Sequence, residues 1–195
     1  MLYRRFGRTE IQMPVLSCGG MRYQQSWQDI EPDALEAVGQ ANLEATIRNA
    51  VDHGINHIET ARGYGSSEYQ LGFVLSQLPR DEIIVQTKIG PTPSEAEFLA
   101  TFDKSLSLLQ LEHVDLLAIH GLNDQSLVDQ ALTQGSLAAC RKIQKEGRAK
   151  HIGFSTHGPT DAIVNAINSG EFDYINLHWY FTDQRNWPAI EAATE

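Results

Sequence analysis

The sequence predicts an α/β protein of the (β/α)8-barrel type, and three observations predict it. Short apolar runs rich in Ile, Val and Leu alternate with amphipathic stretches along the whole chain, the pattern of parallel strands joined by helical crossovers. The turn after the first strand, Cys18-Gly19-Gly20-Met21, lacks the G-x-G-x-x-G spacing that an open dinucleotide-binding sheet places there. Finally, five successive strands end on ionisable or polar residues, at the rim where a barrel assembles an active site from several strands.

Taken in order, Leu2–Phe6 and Thr9–Gln12 flank Gly7-Arg8 and read as a short β-hairpin. Val15–Cys18 is the first strand of the sheet, and the polar stretch Arg22–Gln40, with Pro32 and Gly39, is a long loop after it. Asn42–His53 sets Leu43, Ile47, Ala50 and Val51 on one helical stripe stopped by Gly54. Strand Asn56–Glu59 leads to helix Ser67–Leu78, whose apolar positions include Leu71, Val74 and Leu75 and which ends at Pro79. Strand Ile83–Lys88 leads to helix Ser94–Leu109, where Ser94 and Glu97 have the spacing of a capping box. Strand Val114–His120 and the loop Gly121–Gly135 precede helix Leu137–Glu146, closed by Gly147. Strand His151–Ser155, helix Thr160–Asn168 and strand Tyr174–His178 follow. A last helix begins at Trp187-Pro188, where the missing proline N–H costs nothing.

Composition narrows the function. At 42% hydrophobic and 21% charged residues over 195 positions, the chain is neither disordered nor collagen-like. The 15 Lys+Arg against 25 Asp+Glu give a net charge of −10, which offers no general attraction to nucleic acid or anionic lipid. Cys18 and Cys140, far apart and without a CxxC, read as reduced buried thiols. The N-terminus has no apolar segment after its basic residues, and no window approaches a membrane span, so a cytoplasmic protein is expected.

Alternation along each strand points Glu59, Lys88, His120, Ser155 and either Asn176 or His178 inward at one rim. Any one of these alone reads as an ordinary structural residue; five at equivalent positions do not. Beside Glu59, the segment Thr60-Ala61-Arg62-Gly63-Tyr64-Gly65 sets a tyrosine between two glycines, able to lean over the barrel mouth. Arg62 either adds a cation that favours the phenolate or points at solvent. His157 and Trp179 are candidates for lining the mouth.

The stretch HIETARGYGSSEYQLG resembles the signature of the aldo-keto reductase family. So do FGRTE in the hairpin, VQTKIG, VDLLAIHG, GRAKHIGFST and INLHWY, in order and at barrel spacing. The likeness is greatest to the branch that often carries a C-terminal ferredoxin-like extension. The resemblance implies reduction of aldehyde or ketone groups to alcohols by hydride transfer from NADPH, with NADH as the other nicotinamide option. It implies a catalytic tetrad of Tyr64 as general acid, Lys88 favouring proton loss from it, Glu59 holding Lys88, and His120 donating to the carbonyl oxygen. Ser155, Thr156 and Asn176 match positions that bind the nicotinamide carboxamide. Glu59 stands where the family usually has Asp, adding a methylene of about 1.5 Å; Thr156 replaces the usual Asn, and Asn176 the usual Gln.

Length sets a further expectation. Strand starts fall roughly 29 residues apart, whereas a complete barrel of this kind needs about 250 residues. Residues 1–195 are therefore expected to form one barrel domain of about six β/α units, lacking the last two, with sheet edges open to self-association. Two rival functions follow: an inactive truncated fragment acting only by protein association, and a metal-dependent barrel hydrolase using Glu59, His120, His157 and His178. Substrate choice is expected to lie with Arg22–Gln40 and Gly121–Gly135.

Overall fold

In a computed structural model, which describes residues 1–194, two short strands precede a succession of parallel strands and helices. Strands β1 (Tyr3–Arg5) and β2 (Gln12–Pro14) pair antiparallel around a 3-10 turn at Gly7–Thr9, the hairpin read from Gly7-Arg8. Six strands then form one parallel sheet in chain order: β3 (Cys18–Gly19), β4 (His57–Glu59), β5 (Ile84–Ile89), β6 (Val114–Ile119), β7 (Ala149–Ser155) and β8 (Tyr174–Asn176). The helices are α1 (Ala37–Asp52), α2 (Ser67–Leu75), α3 (Glu95–Leu109), α4 (Gln125–Thr133), α5 (Gly135–Lys145), α6 (Thr160–Asn168) and α7 (Trp187–Thr194). No described helix is long and apolar enough to cross a membrane.

The two faces of the sheet bury different clusters. Val85, Leu117, Ile119, Ile152 and Phe154 face the helices, where Phe98 and Phe102 of α3 are fully buried. Leu116, Ala118 and Tyr174 face the other way and are covered by Phe6, Ile11 and Met13 of the hairpin. Strand register places Gln86 beside Leu116, Lys88 beside Ala118, and Ser155 beside Asn176. The polar strand-end residues therefore share the hairpin-plugged face and lie beyond its apolar plug.

Several elements differ from the sequence expectation. The second hairpin strand is Gln12–Pro14 and not Thr9–Gln12, because Thr9 closes the 3-10 turn, its hydroxyl donating to the Phe6 carbonyl at 2.6 Å, and α2 stops at Leu75, short of Leu78. Val15 and Leu16 are more than half exposed, and Val15 N–H donates to the Leu2 carbonyl at 3.0 Å, so this apolar pair continues the hairpin and β3 starts only at Cys18. α1 begins at Ala37, five residues before Asn42, running through Gly39. Buried Gln40, donating to the Gln70 carbonyl at 3.0 Å and to Glu44 at 2.8 Å, fixes that first turn by tertiary contact. α4 occupies the expected loop Gly121–Gly135. Its signals were present: Asp124 caps it by accepting from Leu127 N–H at 2.9 Å, and Val128 and Ala131 turn into the core. β8 stops at Asn176, so His178 lies on the following loop. Helix α6 spans Thr160–Asn168 as expected, and Ser94 caps α3 by accepting from Glu97 N–H.

The long loop after β3 is seated on the Tyr64 segment. Ser66 N–H donates to the Ser26 carbonyl at 2.9 Å, and Ser26 N–H to Ser66 Oγ at 3.0 Å. Gly65, at φ +56°, permits this approach, because a Cβ there would collide with the backbone of Ser26 and Trp27.

Candidate active site

The seven residues expected in the tetrad and at the carboxamide line one cavity of about 150 Å³ at the C-terminal end of the sheet, together with His157, Leu177 and His178. Strands supply five of its walls, Glu59 ending β4, Lys88 near the end of β5, His120 just past β6, Ser155 ending β7 and Asn176 ending β8. Tyr64 comes from the β4–α2 loop.

Lys88 is 3% exposed. Its Nζ donates to the Thr60 carbonyl at 2.9 Å, touches the Glu59 carboxylate, and stands 4.8 Å from the centre of the Tyr64 ring. Burial pushes the Lys88 ammonium down to about 7; a carboxylate in contact, as Glu59 is, favours the charged form. The longer acidic side chain thus still reaches its lysine.

Burial raises Tyr64, so the phenol carries its proton at neutral pH. Its ring meets the His120 ring edge-on, with centroids 5.5 Å apart. Burial first, then the charges of Lys88 and His157, push His120 down to about 4, so its imidazole is neutral at pH 7, with one ring N–H to donate.

Arg62 does neither of the things its position suggested. It spans the exposed Asp29 of the long loop and the fully buried Glu68 of α2, the latter at 3.0 Å. Glu68 also accepts from Thr87 Oγ1 at 2.6 Å. Burial raises its carboxyl, and the hydrogen bonds from Thr87 and Arg62 draw it back. This network, invisible in the local sequence, fastens the segment that carries Tyr64 to both α2 and the long loop.

The three residues expected at a carboxamide differ in what they can still offer. Ser155 Oγ accepts from Gly121 N–H at 3.1 Å and keeps its own O–H. Asn176 Oδ1 accepts from Gln86 Nε2 at 2.5 Å, leaving its NH2 for the cavity. Thr156 is already committed: its hydroxyl donates to the Leu122 carbonyl at 2.6 Å and accepts from Gly158 N–H at 2.9 Å, so it shapes the loop. Two unspent donors facing one cavity suit the carbonyl oxygen of a primary carboxamide.

His157 and His178 sit side by side at the mouth, with Nδ1 atoms 3.3 Å apart. Trp179 instead packs against Trp187, with ring centroids 6.0 Å apart. Among the described residues, no three His, Cys, Asp or Glu side chains group so as to hold a metal ion. Cys140 is free and buried, its thiol pushed up to about 12 by burial; Cys18 is free and only half-buried.

Comparison with known proteins bears on family and fold. The sequence pattern described as the aldo/keto reductase family matches residues 15–185. L-galactose dehydrogenase of Arabidopsis thaliana is 33% identical over 74% of this chain and 48% of its own length. L-glyceraldehyde 3-phosphate reductase of Escherichia coli is 30% identical over 82% of this chain and 46% of its own. The chain thus spans about half the length of the curated relatives it matches. In three dimensions it is similar to a Pseudomonas aeruginosa protein named as an aldo-keto reductase, with TM-score 0.80 and 23% identity, covering 98% of this chain and 73% of that one. It is also similar to a Bombyx mori aldo-keto reductase in complex with NADP, with TM-score 0.70 and 17% identity, covering 96% and 61%. These two likenesses concern the fold, that of an incomplete (β/α)8 barrel.

Proposed function

Because this chain belongs to the aldo/keto reductase family, we propose that it serves an NADPH-dependent reduction of a small aldehyde or ketone to an alcohol. The observation that carries the proposal is the meeting of Tyr64, Lys88, Glu59 and His120 around one cavity.

When bound, the nicotinamide cofactor supplies the hydride; Ser155 and Asn176 would hold its carboxamide through their unspent donors. The chain's own residues handle the proton. Tyr64 holds it at neutral pH and gives it to the carbonyl oxygen. The negative charge left on the phenolate is met by the Lys88 ammonium beside its ring. Glu59, in contact with Nζ, favours the charged form that burial opposes and holds the side chain in place. Neutral His120 donates its ring N–H to the same carbonyl oxygen and aligns it with Tyr64.

The test is to titrate the chain with NADPH by cofactor fluorescence, and then to follow NADPH oxidation with a panel of small aldehydes. Saturable binding followed by turnover supports the proposal. No binding at millimolar NADPH overturns it for this chain. Where turnover is seen, Tyr64→Phe is expected to lower kcat by about 10²-fold or more while leaving NADPH affinity unchanged. Equal kcat in variant and parent removes Tyr64 from the role of acid.

A further inference from the structure

Beneath the cavity, a line of polar groups crosses the inner face of the sheet, from the exposed Ser17 through buried His57 and Gln86 to the half-buried Asn176. Ser17 Oγ lies 2.7 Å from His57 Nδ1, His57 Nε2 lies 3.2 Å from Gln86 Oε1, and Gln86 Nε2 donates to Asn176 Oδ1 at 2.5 Å. His57 is 5% exposed and Gln86 1%. An apolar interior has no need of such a chain, and either of its two buried members, His57 or Gln86, left unpaired would cost the desolvation of a polar group.

The chain has a direction. Burial, followed by the charge of Lys88, drives His57 down to about 4, so its imidazole is neutral and carries one N–H. Gln86 turns its amide nitrogen toward Asn176 and its oxygen toward His57, so the His57 proton sits on Nε2 and Nδ1 accepts from the Ser17 hydroxyl. Every bond then runs the same way, from Ser17 to Asn176. The Asn176 oxygen is engaged from below, and its NH2 is the end that the line presents to the cavity.

We propose that Ser17, His57 and Gln86 form a one-way hydrogen-bond relay that fixes the orientation of the Asn176 amide, making His57 and Gln86 positioning residues for recognition of the cofactor carboxamide. The proposal rests on the reading of Asn176 as a cofactor-binding residue. It explains how the shorter Asn acts as an oriented donor, because a side-chain amide with no partner has no preferred face.

The relay is tested first without cofactor. In 15N-labelled protein at pH 7, the ring nitrogen shifts of His57 are expected to report the Nε2–H tautomer; the Nδ1–H tautomer overturns the relay. Cofactor fluorescence then gives the NADPH affinity of two variants. Gln86→Glu keeps the acceptor for His57 but sets an acceptor against the Asn176 oxygen. It is expected to weaken NADPH binding about five- to tenfold, the scale of one misdirected hydrogen bond. Asn176→Ala is expected to weaken it at least as much. Unchanged or tighter binding in Gln86→Glu, with weakened binding in Asn176→Ala, overturns the relay and leaves the cofactor reading standing. Unchanged binding in Asn176→Ala overturns that reading and the relay's role with it.

Discussion

Replacing Arg62 with methionine isolates the network beneath Tyr64, because the substitution keeps most of the side-chain volume and removes only the guanidinium. Glu68 has 0% side-chain exposure and would be left with a carboxylate supported chiefly by the Thr87 hydroxyl. Breaking a buried ion pair by deleting one partner costs about 3–5 kcal/mol. The second contact of Arg62, to Asp29, adds less than about 1 kcal/mol, because the Asp29 side chain is 52% exposed and screened by water. A total loss of about 4 kcal/mol is a large share of a typical domain stability of about 5–15 kcal/mol. With a urea slope of about 2 kcal/mol per molar, it moves the unfolding midpoint by about 2 M.

The pH dependence gives the argument a second handle. Without Arg62 the folded-state pKa of Glu68 rises further above its unfolded value, so the unfolded chain releases that proton first as pH increases. The loss should therefore be smaller at pH 5 than at pH 8. Urea melts at both values measure this. Arg62→Met combined with Glu68→Gln should recover most of the stability, since the amide still accepts from Thr87 and leaves no buried charge. A loss below about 1 kcal/mol in the single variant, or an equal loss in single and double variants, would show that Arg62 does not compensate the buried Glu68 charge.

Other perturbations probe different parts of the molecule. His57 and His120 each fall to about 4 in the folded protein against an unfolded value of 6.5. Their neutral burial therefore contributes stability that is complete above pH 6.5 and is lost as pH falls toward 4, on the order of 3 kcal/mol for each. Thermal melts between pH 7 and pH 4 should show this decline, and a flat profile would contradict the assigned neutral forms. Gly65→Ala forces a left-handed conformation on a residue with a Cβ and pushes the backbone at Ser26 and Trp27 away. A loss of at least about 1–2 kcal/mol is expected from the conformation alone, together with faster trypsin cleavage after Arg22; unchanged cleavage would separate the loop from this contact.

How much was legible from the chain depends on the distance over which each feature is decided. Helix α6 and the capping of α3 follow from neighbours three and four residues apart, so periodicity and cap residues locate them. Helix α4 had its cap and apolar positions in plain view, but its length of nine residues and polar surroundings made it read as loop. The early start of α1 had no local signal, since Gly39 argues against a helix and the compensating contact comes from Gln40 reaching Gln70 across the fold. Val15 and Leu16 show the opposite error: apolar residues that suggest a buried strand yet remain on the surface because the hairpin claims them.

By itself the sequence determined the α/β alternation and the identity of the residues that meet at the rim, because strand parity and strand ends are local properties of the chain. Glu59, Lys88, His120 and Ser155 were selected by position along their own strands, which left Asn176 and His178 as alternatives on the last, and the fold brings all six to one cavity. Only the tertiary structure decided which of their atoms remain free. Thr156 spends its hydroxyl on Leu122, 34 residues away; Arg62 finds Asp29 33 residues before it; Gln86 engages Asn176 across 90 residues. Side-chain hydrogen bonds form over a few ångströms of space irrespective of separation along the chain. A residue's type therefore states what bonds it can make, while the packing of distant strands states which are already made.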